Sequence, residues 1–160
     1  MLALLLGWAC TAQAQEPLPQ PKGPVLLIVS GRLQQANVGT EAQFDREMLE
    51  ALGQTSIATV SVTSAAKQLF EGIPLRRILE RVGGNGTSIR ASALNDYKIT
   101  IPVDDLKYEP IVAMRVDGQM LKVRDKGPLW VVYPRDSYDA LQTPVYDARW
   151  IWQLNRLHVE

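Results

Sequence analysis

"PIVAMRVDGQMLKVRDKGPLWVVYPRD", residues 110–136, decides how the rest of the chain is read. An apolar run beginning at Ile111 meets Asp117-Gly118, a pair that accepts the positive φ values of a tight type I′ turn, and returns through Met120 and Leu121 as a hairpin. A further run, "GPLWVVYP", opens on Gly127-Pro128, carries Trp130 and Tyr133, and is closed by Pro134 with Arg135 just beyond it. These strands follow one another through turns, without the intervening helix of a βαβ unit.

Upstream, "IPLRRILERVGG" (73–84) predicts a helix: Pro74 sits at its first turn, Leu75, Ile78, Leu79 and Val82 fall at i, i+3, i+4 and i+7, and Gly83-Gly84 stops it. "FDREMLEALG" (44–53) predicts a shorter one with Met48, Leu49 and Leu52 inward and Gly53 at its end. Strands are predicted in "VLLIVSG" (25–31), "TSIATVSV" (55–62) and "KITIPV" (98–103), from apolar or β-branched runs with alternation, and in "RWIWQLNRLHVE" (149–160) at the C-terminal end. The expected fold class is α+β: a mixed, largely β, barrel-like sheet of seven or eight short strands with two or three short helices.

The chain has 160 residues, 46% hydrophobic and 21% charged, the composition of one domain with a sizeable core. Seventeen basic and seventeen acidic residues cancel, which argues against nucleic acid or an anionic membrane as a partner. Residues 1–14, MLALLLGWACTAQA, are uncharged and end in Ala12-Gln13-Ala14, the pattern of a secretory signal cleaved near Ala14/Gln15. Its apolar run is too short to cross a bilayer, so the expectation is a periplasmic protein without membrane insertion. Residues 15–24 hold four prolines and read as a linker, leaving 25–160 as the domain. The single cysteine, Cys10, lies in the segment to be removed, so the mature chain would hold no thiol.

Familiar catalytic constellations are missing. One histidine, His158, cannot make a zinc pair, no G-x-S-x-G precedes a helix, and no Gly-rich loop suits a nucleotide phosphate. What stands out is aromatic: Trp130, Trp150, Trp152 and all five tyrosines lie in the second half of the chain. Trp150 and Trp152 would share a face if "WIW" were a strand, with Arg149 and Arg135 nearby. Flat rings beside guanidinium groups suit a planar, polar heterocycle. "ALNDY" (93–97) adds orienting groups: Asn95 can donate and accept, and the Asp96 carboxylate can pair with an amino group and a ring N–H together. The candidate site is Asn95, Asp96, Tyr97, Arg135, Trp150 and Trp152, followed by Arg90, Trp130 and Tyr133. The alternative for each is a place in the core or in a turn.

Five segments in order carry a family resemblance: F-x-G-x-P-L-x-x-I-L-x-x-x-G (Phe70 to Gly83), A-L-N-D-Y-x-x-x-I-P (Ala93 to Pro102), I-x-A-x-x-x-D-G-x-x-L (Ile111 to Leu121), K-G-P-L-W-V-V-Y-P (Lys126 to Pro134) and W-I-W-Q-L (Trp150 to Leu154). Together they resemble the small exported bacterial proteins of the oxidoreductase molybdopterin-binding domain, the sulfite oxidase fold. In catalytic members the resemblance implies molybdenum held by a pterin dithiolene and by one cysteine, whose place falls near Thr59-Val60-Ser61. No cysteine stands there; valine cannot ligate, and a serine hydroxyl is a poor ligand for a soft site. Molybdenum, oxotransfer and catalytic or metal-ligating residues are therefore not expected. The chain also resembles the pterin-binding periplasmic subgroup that serves membrane receptors controlling cyclic di-GMP turnover or phosphorelays. The resemblance implies a non-catalytic pterin or molybdopterin binder, sensing its ligand for a membrane receptor such as a cyclic di-GMP enzyme or histidine kinase. The rivals are a molybdopterin-dependent oxidoreductase with a non-cysteine metal environment and an interaction module with an empty pocket.

Overall fold

The computed structural model describes residues 16–160. From the N-terminal side its elements run β1 (Leu27–Gly31), β2 (Ala42–Phe44), α1 (Arg46–Glu50), β3 (Thr55–Ser61), β4 (Ser64–Pro74), α2 (Leu75–Val82), β5 (Ser88–Ala93), β6 (Lys98–Pro102), β7 (Ile111–Val116), β8 (Gln119–Met120), β9 (Trp130–Val132), α3 (Pro144–Asp147) and β10 (Leu154–Val159). The strands form two five-stranded sheets. One has the order β2-β1-β10-β5-β6; the other has β3-β4-β7-β8, with β9 also paired to β7. The β1–β10 pair is parallel and the remaining ladders are antiparallel, so the architecture is mixed α+β. No closed barrel forms among the described residues: β2 and β6 end the first sheet, β3 and β8 the second. The mixed, largely β fold with a few short helices is as expected, and its sheet is built as two open sheets over one core, to which both contribute.

Local chemistry explains the elements. All four apolar positions of the α2 stripe, Leu75, Ile78, Leu79 and Val82, are buried, and Gly83 ends the helix at φ 61°, donating its N–H to the Glu80 carbonyl. Asp117 and Gly118 join β7 to β8 at φ 50° and 77°, the type I′ geometry. Asp45 caps α1 by accepting from Met48 N at 2.9 Å. Its other oxygen accepts from Lys22 N and Gly23 N at 2.7 and 2.9 Å, and these backbone N–H groups hold the carboxyl below its usual range. That carboxylate fastens the proline-rich stretch to the body, and Leu18 joins the core.

Three differences from the sequence expectations matter for the site. β4 runs through "SAAKQLFEGIP", a stretch that begins with helix formers; the hairpin with β3 overrides that preference, and β7 joins from Phe70 onward. At Gly72 a Cβ would stand 2.0 Å from the Val112 carbonyl oxygen, so only glycine lets β4 and β7 approach there. Finally, the last strand begins at Leu154. Trp150-Ile151-Trp152 is not a strand: Gln153 takes φ 52°, and the segment's backbone pairs with the second sheet only through an isolated bridge between Trp152 and Trp130. The segment read as a secretory signal, with Cys10, lies outside the described residues.

Candidate ligand-binding cleft

The turn between β5 and β6 begins the site. Asp96 N donates to the Ala93 carbonyl at 3.1 Å and Tyr97 N to Asn95 Oδ1 at 3.2 Å, while Asp96 itself takes φ 65°. Around this turn Asn95 and Tyr97 line one side and Asp96 the other, the alternation that successive residues of an extended chain also show. The Tyr97 hydroxyl donates to the Ala148 carbonyl at 3.2 Å, tying the turn to the loop that carries the indoles.

That loop is held by aromatic packing. Trp150, only 3% exposed, meets Phe70 and Trp130 edge to face, each at 5.9 Å between centroids, and Phe70 meets Trp130 at 5.3 Å. Trp152 packs against Trp130 at 6.5 Å but stays 38% exposed. Between this wall and the 94–97 turn lies a cleft of about 410 Å³, lined by Val62, Thr63, Ala93, Asn95, Tyr97, Asp147, Ala148, Trp150, Ile151 and Trp152. Its shape follows from three flat side chains set on a rigid interior. The indole N–H groups of Trp130 and Trp150 are buried with no hydrogen-bond partner among the described residues.

Charge is arranged in layers around the cleft. Arg135 donates from Nε and Nη2 to the two Asp147 oxygens at 2.9 and 3.3 Å, a fork that raises the guanidinium pKa further and neutralises the only charged group in the lining. Deeper, Arg149 Nη1 donates to Asp105 Oδ2 at 2.6 Å, and the Tyr133 hydroxyl donates to the same oxygen at 2.8 Å. Burial first, and then the Asp105 charge, push the Tyr133 phenol far above its ordinary value, so it stays protonated. At the lip, Lys126 Nζ donates to Thr63 Oγ1 at 2.8 Å and stands 5.0 and 5.9 Å from the ring centroids of Trp130 and Trp152.

A second hollow of about 480 Å³ adjoins the cleft, shares Val62, Thr63 and Asp147 with it, and is floored by the end of β3. Here the Thr59 hydroxyl donates to Asp136 Oδ1 and accepts from Asp136 N at 3.3 Å, and Lys67 Nζ reaches Asp136 Oδ2 at 2.8 Å. Lys67 first, then Thr59, hold the Asp136 carboxyl at about 2. Ser61 Oγ lies 3.3 Å from Thr63 Oγ1 and 3.4 Å from Gln68 Oε1. The hydroxyls at this strand end are engaged by protein partners, and none is a thiolate. Among the described residues no group of three histidine, cysteine or acidic side chains is placed to hold a metal ion. This donor set does not fit a molybdenum held by sulfur.

The structure therefore brings together Asn95, Tyr97, Trp150 and Trp152, backs them with Trp130, and sets Arg135 in the adjoining hollow. Tyr133 lies in the interior with Asp105 and Arg149. Asp96 and Arg90 stand apart, in a groove on the outer face of the first sheet with Ser30, Lys98, Arg156 and His158. Arg90 is paired there with Glu160, and Ser30 Oγ lies 3.0 Å from His158 Nδ1. Lys126 was not among the candidate site residues, though it opens the segment Lys126 to Pro134. Nor was Thr63, which sits in the β3–β4 turn.

In its fold the chain is similar to the sulfane dehydrogenase SoxCD from Paracoccus pantotrophus, with a TM-score of 0.63 over 83% of this chain at 16% identity. The fold is shared with SoxCD. The mixed, largely β, α+β class expected from the sulfite oxidase resemblance is thus observed, built as two open sheets. The chain spans 37% of the SoxCD chain that it matches. No protein-family model matches the chain, and no curated protein matches it in sequence.

Proposed function

We propose that this protein binds a pterin, free or as molybdopterin, and performs no chemistry on it. The observation that carries this reading is the juxtaposition of Trp152, Trp150 and Tyr97 around one cleft with Asn95 at its edge. The volume of about 410 Å³ lies within the range of roughly 300–1,000 Å³ common for small-molecule sites. Indole and phenol faces supply stacking area for a bicyclic ring. Asn95 spends its Oδ1 on Tyr97 N and keeps its amide N–H groups for a ring carbonyl or nitrogen. Buried Trp150 and Phe70 hold the wall in place, so little ordering is needed on binding. The fold shared with a dehydrogenase supports a pterin ligand through the sulfite oxidase resemblance, while the Thr59, Ser61 and Asp136 cluster gives an oxotransfer metal no sulfur ligand.

The same reading makes the protein a periplasmic sensor whose occupancy is read by a membrane receptor, a cyclic di-GMP enzyme or a histidine kinase. Support for this part comes from the resemblance and from the export pattern of residues 1–14. No helix among the described residues is long and apolar enough to cross a membrane. Occupancy can bias a receptor only if the loaded and empty forms differ in affinity for it; Trp152, exposed at the lip, is a part of the cleft that such a partner can touch.

Titration of the purified protein with 6-hydroxymethylpterin, followed by pterin fluorescence, tests the proposal. Saturable binding is expected, weakened by about tenfold or more in Trp152→Ala, the loss common when one stacking ring is removed. Absence of saturable binding by folded protein contradicts it. Stoichiometric molybdenum in protein from a cofactor-competent host, with electron transfer to a dye, would favour the oxidoreductase instead.

A further inference from the structure

Lys126 is built into the lip of the cleft by several independent contacts. Its backbone is left-handed, at φ 71°, a conformation lysine seldom adopts, and Gly127 N closes the turn by donating to the Lys122 carbonyl at 2.8 Å. The Lys126 carbonyl accepts from Gln153 N at 2.8 Å, which pins the residue to the segment that carries Trp152. The side chain then lies over Trp130 and Trp152 and donates to Thr63, a lining residue of the cleft. An ammonium has three N–H donors, and Thr63 takes one. The neighbouring charges are spent: Asp147 on Arg135 and Asp125 on Arg124. Among the described residues around the cleft, Lys126 is the cation without a carboxylate partner. Beside apolar walls, such a charge interacts with an anion far more strongly than it does in open water.

We propose that Lys126 makes the cleft selective for a flat ring that carries an anionic substituent, a carboxylate or a phosphate monoester, over the same ring without charge. The selectivity rests on the cleft being the ligand site. The ring occupies the space between Trp152 and Tyr97, and its charged arm leaves along the lip to take the two remaining ammonium N–H groups. Trp130 and Thr63 position the cation; Lys126 is the specificity-determining contact.

Three ligands with one ring separate this selectivity from ring binding itself: neutral 6-hydroxymethylpterin, pterin-6-carboxylate, and the phosphate monoester of 6-hydroxymethylpterin, each titrated into the whole protein. At least one of the two anions is expected to bind about tenfold or more tighter than the neutral ring, the ratio that one charge-assisted hydrogen bond carries, and comparison of the two identifies the preferred arm. Lys126→Met should bring the anions to within about twofold of the neutral ring and leave neutral binding in place; Lys126→Arg should keep the preference, and added salt should shrink it. Equal binding of all three ligands by the unaltered protein overturns the selectivity and leaves the ring site standing, as does a preference that survives Lys126→Met. Failure of all three to bind removes the ring site and the selectivity together.

Discussion

The two sides of the 94–97 turn show how one short stretch of chain serves different surfaces. On one side Asn95 and Tyr97 face a cleft walled by Trp150 and Trp152; on the other Asp96 joins Arg90, Lys98 and His158 over the first sheet. The first side is apolar, backed by an edge-to-face cluster of Phe70, Trp130 and Trp150, and its one charged lining group is paired. The second is an open polar face, with Ser30 against His158, Arg90 paired with Glu160 and Arg156 with Glu41. Fixed rings and an apolar lining separate them, since the two hollows are of similar volume, about 410 and 400 Å³. A ring can be buried on the first side, whereas on the second it would have to displace existing pairs.

Substitutions can break this contrast or sharpen it. The largest effect is expected at Trp150, whose indole is both wall and core: Trp150→Ala should cost about 3–5 kcal/mol of stability and remove pterin binding, as read by urea denaturation and titration. Trp152→Ala, by contrast, should lower affinity with little change in the denaturation midpoint, because its ring is partly exposed. An equal loss of stability in both would show that the cleft wall and the core are not separable.

Below these comes the strand end beside the cleft. The Asp136 carboxyl is held at about 2, under its unfolded value, by Lys67 and Thr59. Its stabilising contribution is therefore complete above about pH 4 and is lost as the pH falls through about 2. Lys67 is largely exposed, so the contribution is expected to stay under about 1 kcal/mol. Asp136→Asn should flatten the acid limb of a midpoint-against-pH curve between those values; an unchanged limb would show that other carboxylates govern it.

The smallest effects are expected across the turn. Asp96→Ala and Arg90→Ala should leave pterin affinity within about twofold and stability within about 1 kcal/mol. A tenfold loss in either would place the ligand on the outer face and reverse the comparison.

Much of the fold was legible in the sequence, for local reasons. The α2 stripe and its Gly83 stop, and the Asp117-Gly118 turn, combine periodicity with backbone chemistry that leaves little choice. β4 was illegible because Ala65, Ala66, Lys67 and Gln68 favour a helix locally, and only the hairpin with β3 makes this stretch a strand. β5 was hidden by its small residues, since Ala91 and Ala93 fill the core with little apolar signal. In the site, density of aromatics pointed to the indoles, but the grouping of Asp96 with Asn95 ignored that neighbouring side chains face opposite ways, and the left-handed Gln153 interrupts the strand expected to run through Trp150. Tyr133 and Arg149 are drawn inward by Asp105, which sits in a 3₁₀ turn over Val103–Tyr108 that no sequence pattern marked.

A crystal structure of the protein with a bound pterin reads the account most directly. The ring should lie in the cleft between Trp152 and Tyr97, with a polar edge within hydrogen-bond distance of Asn95. A ring seated instead against Arg90 and Asp96, or over the Thr59–Asp136 strand end with the indole cleft unfilled, would contradict it.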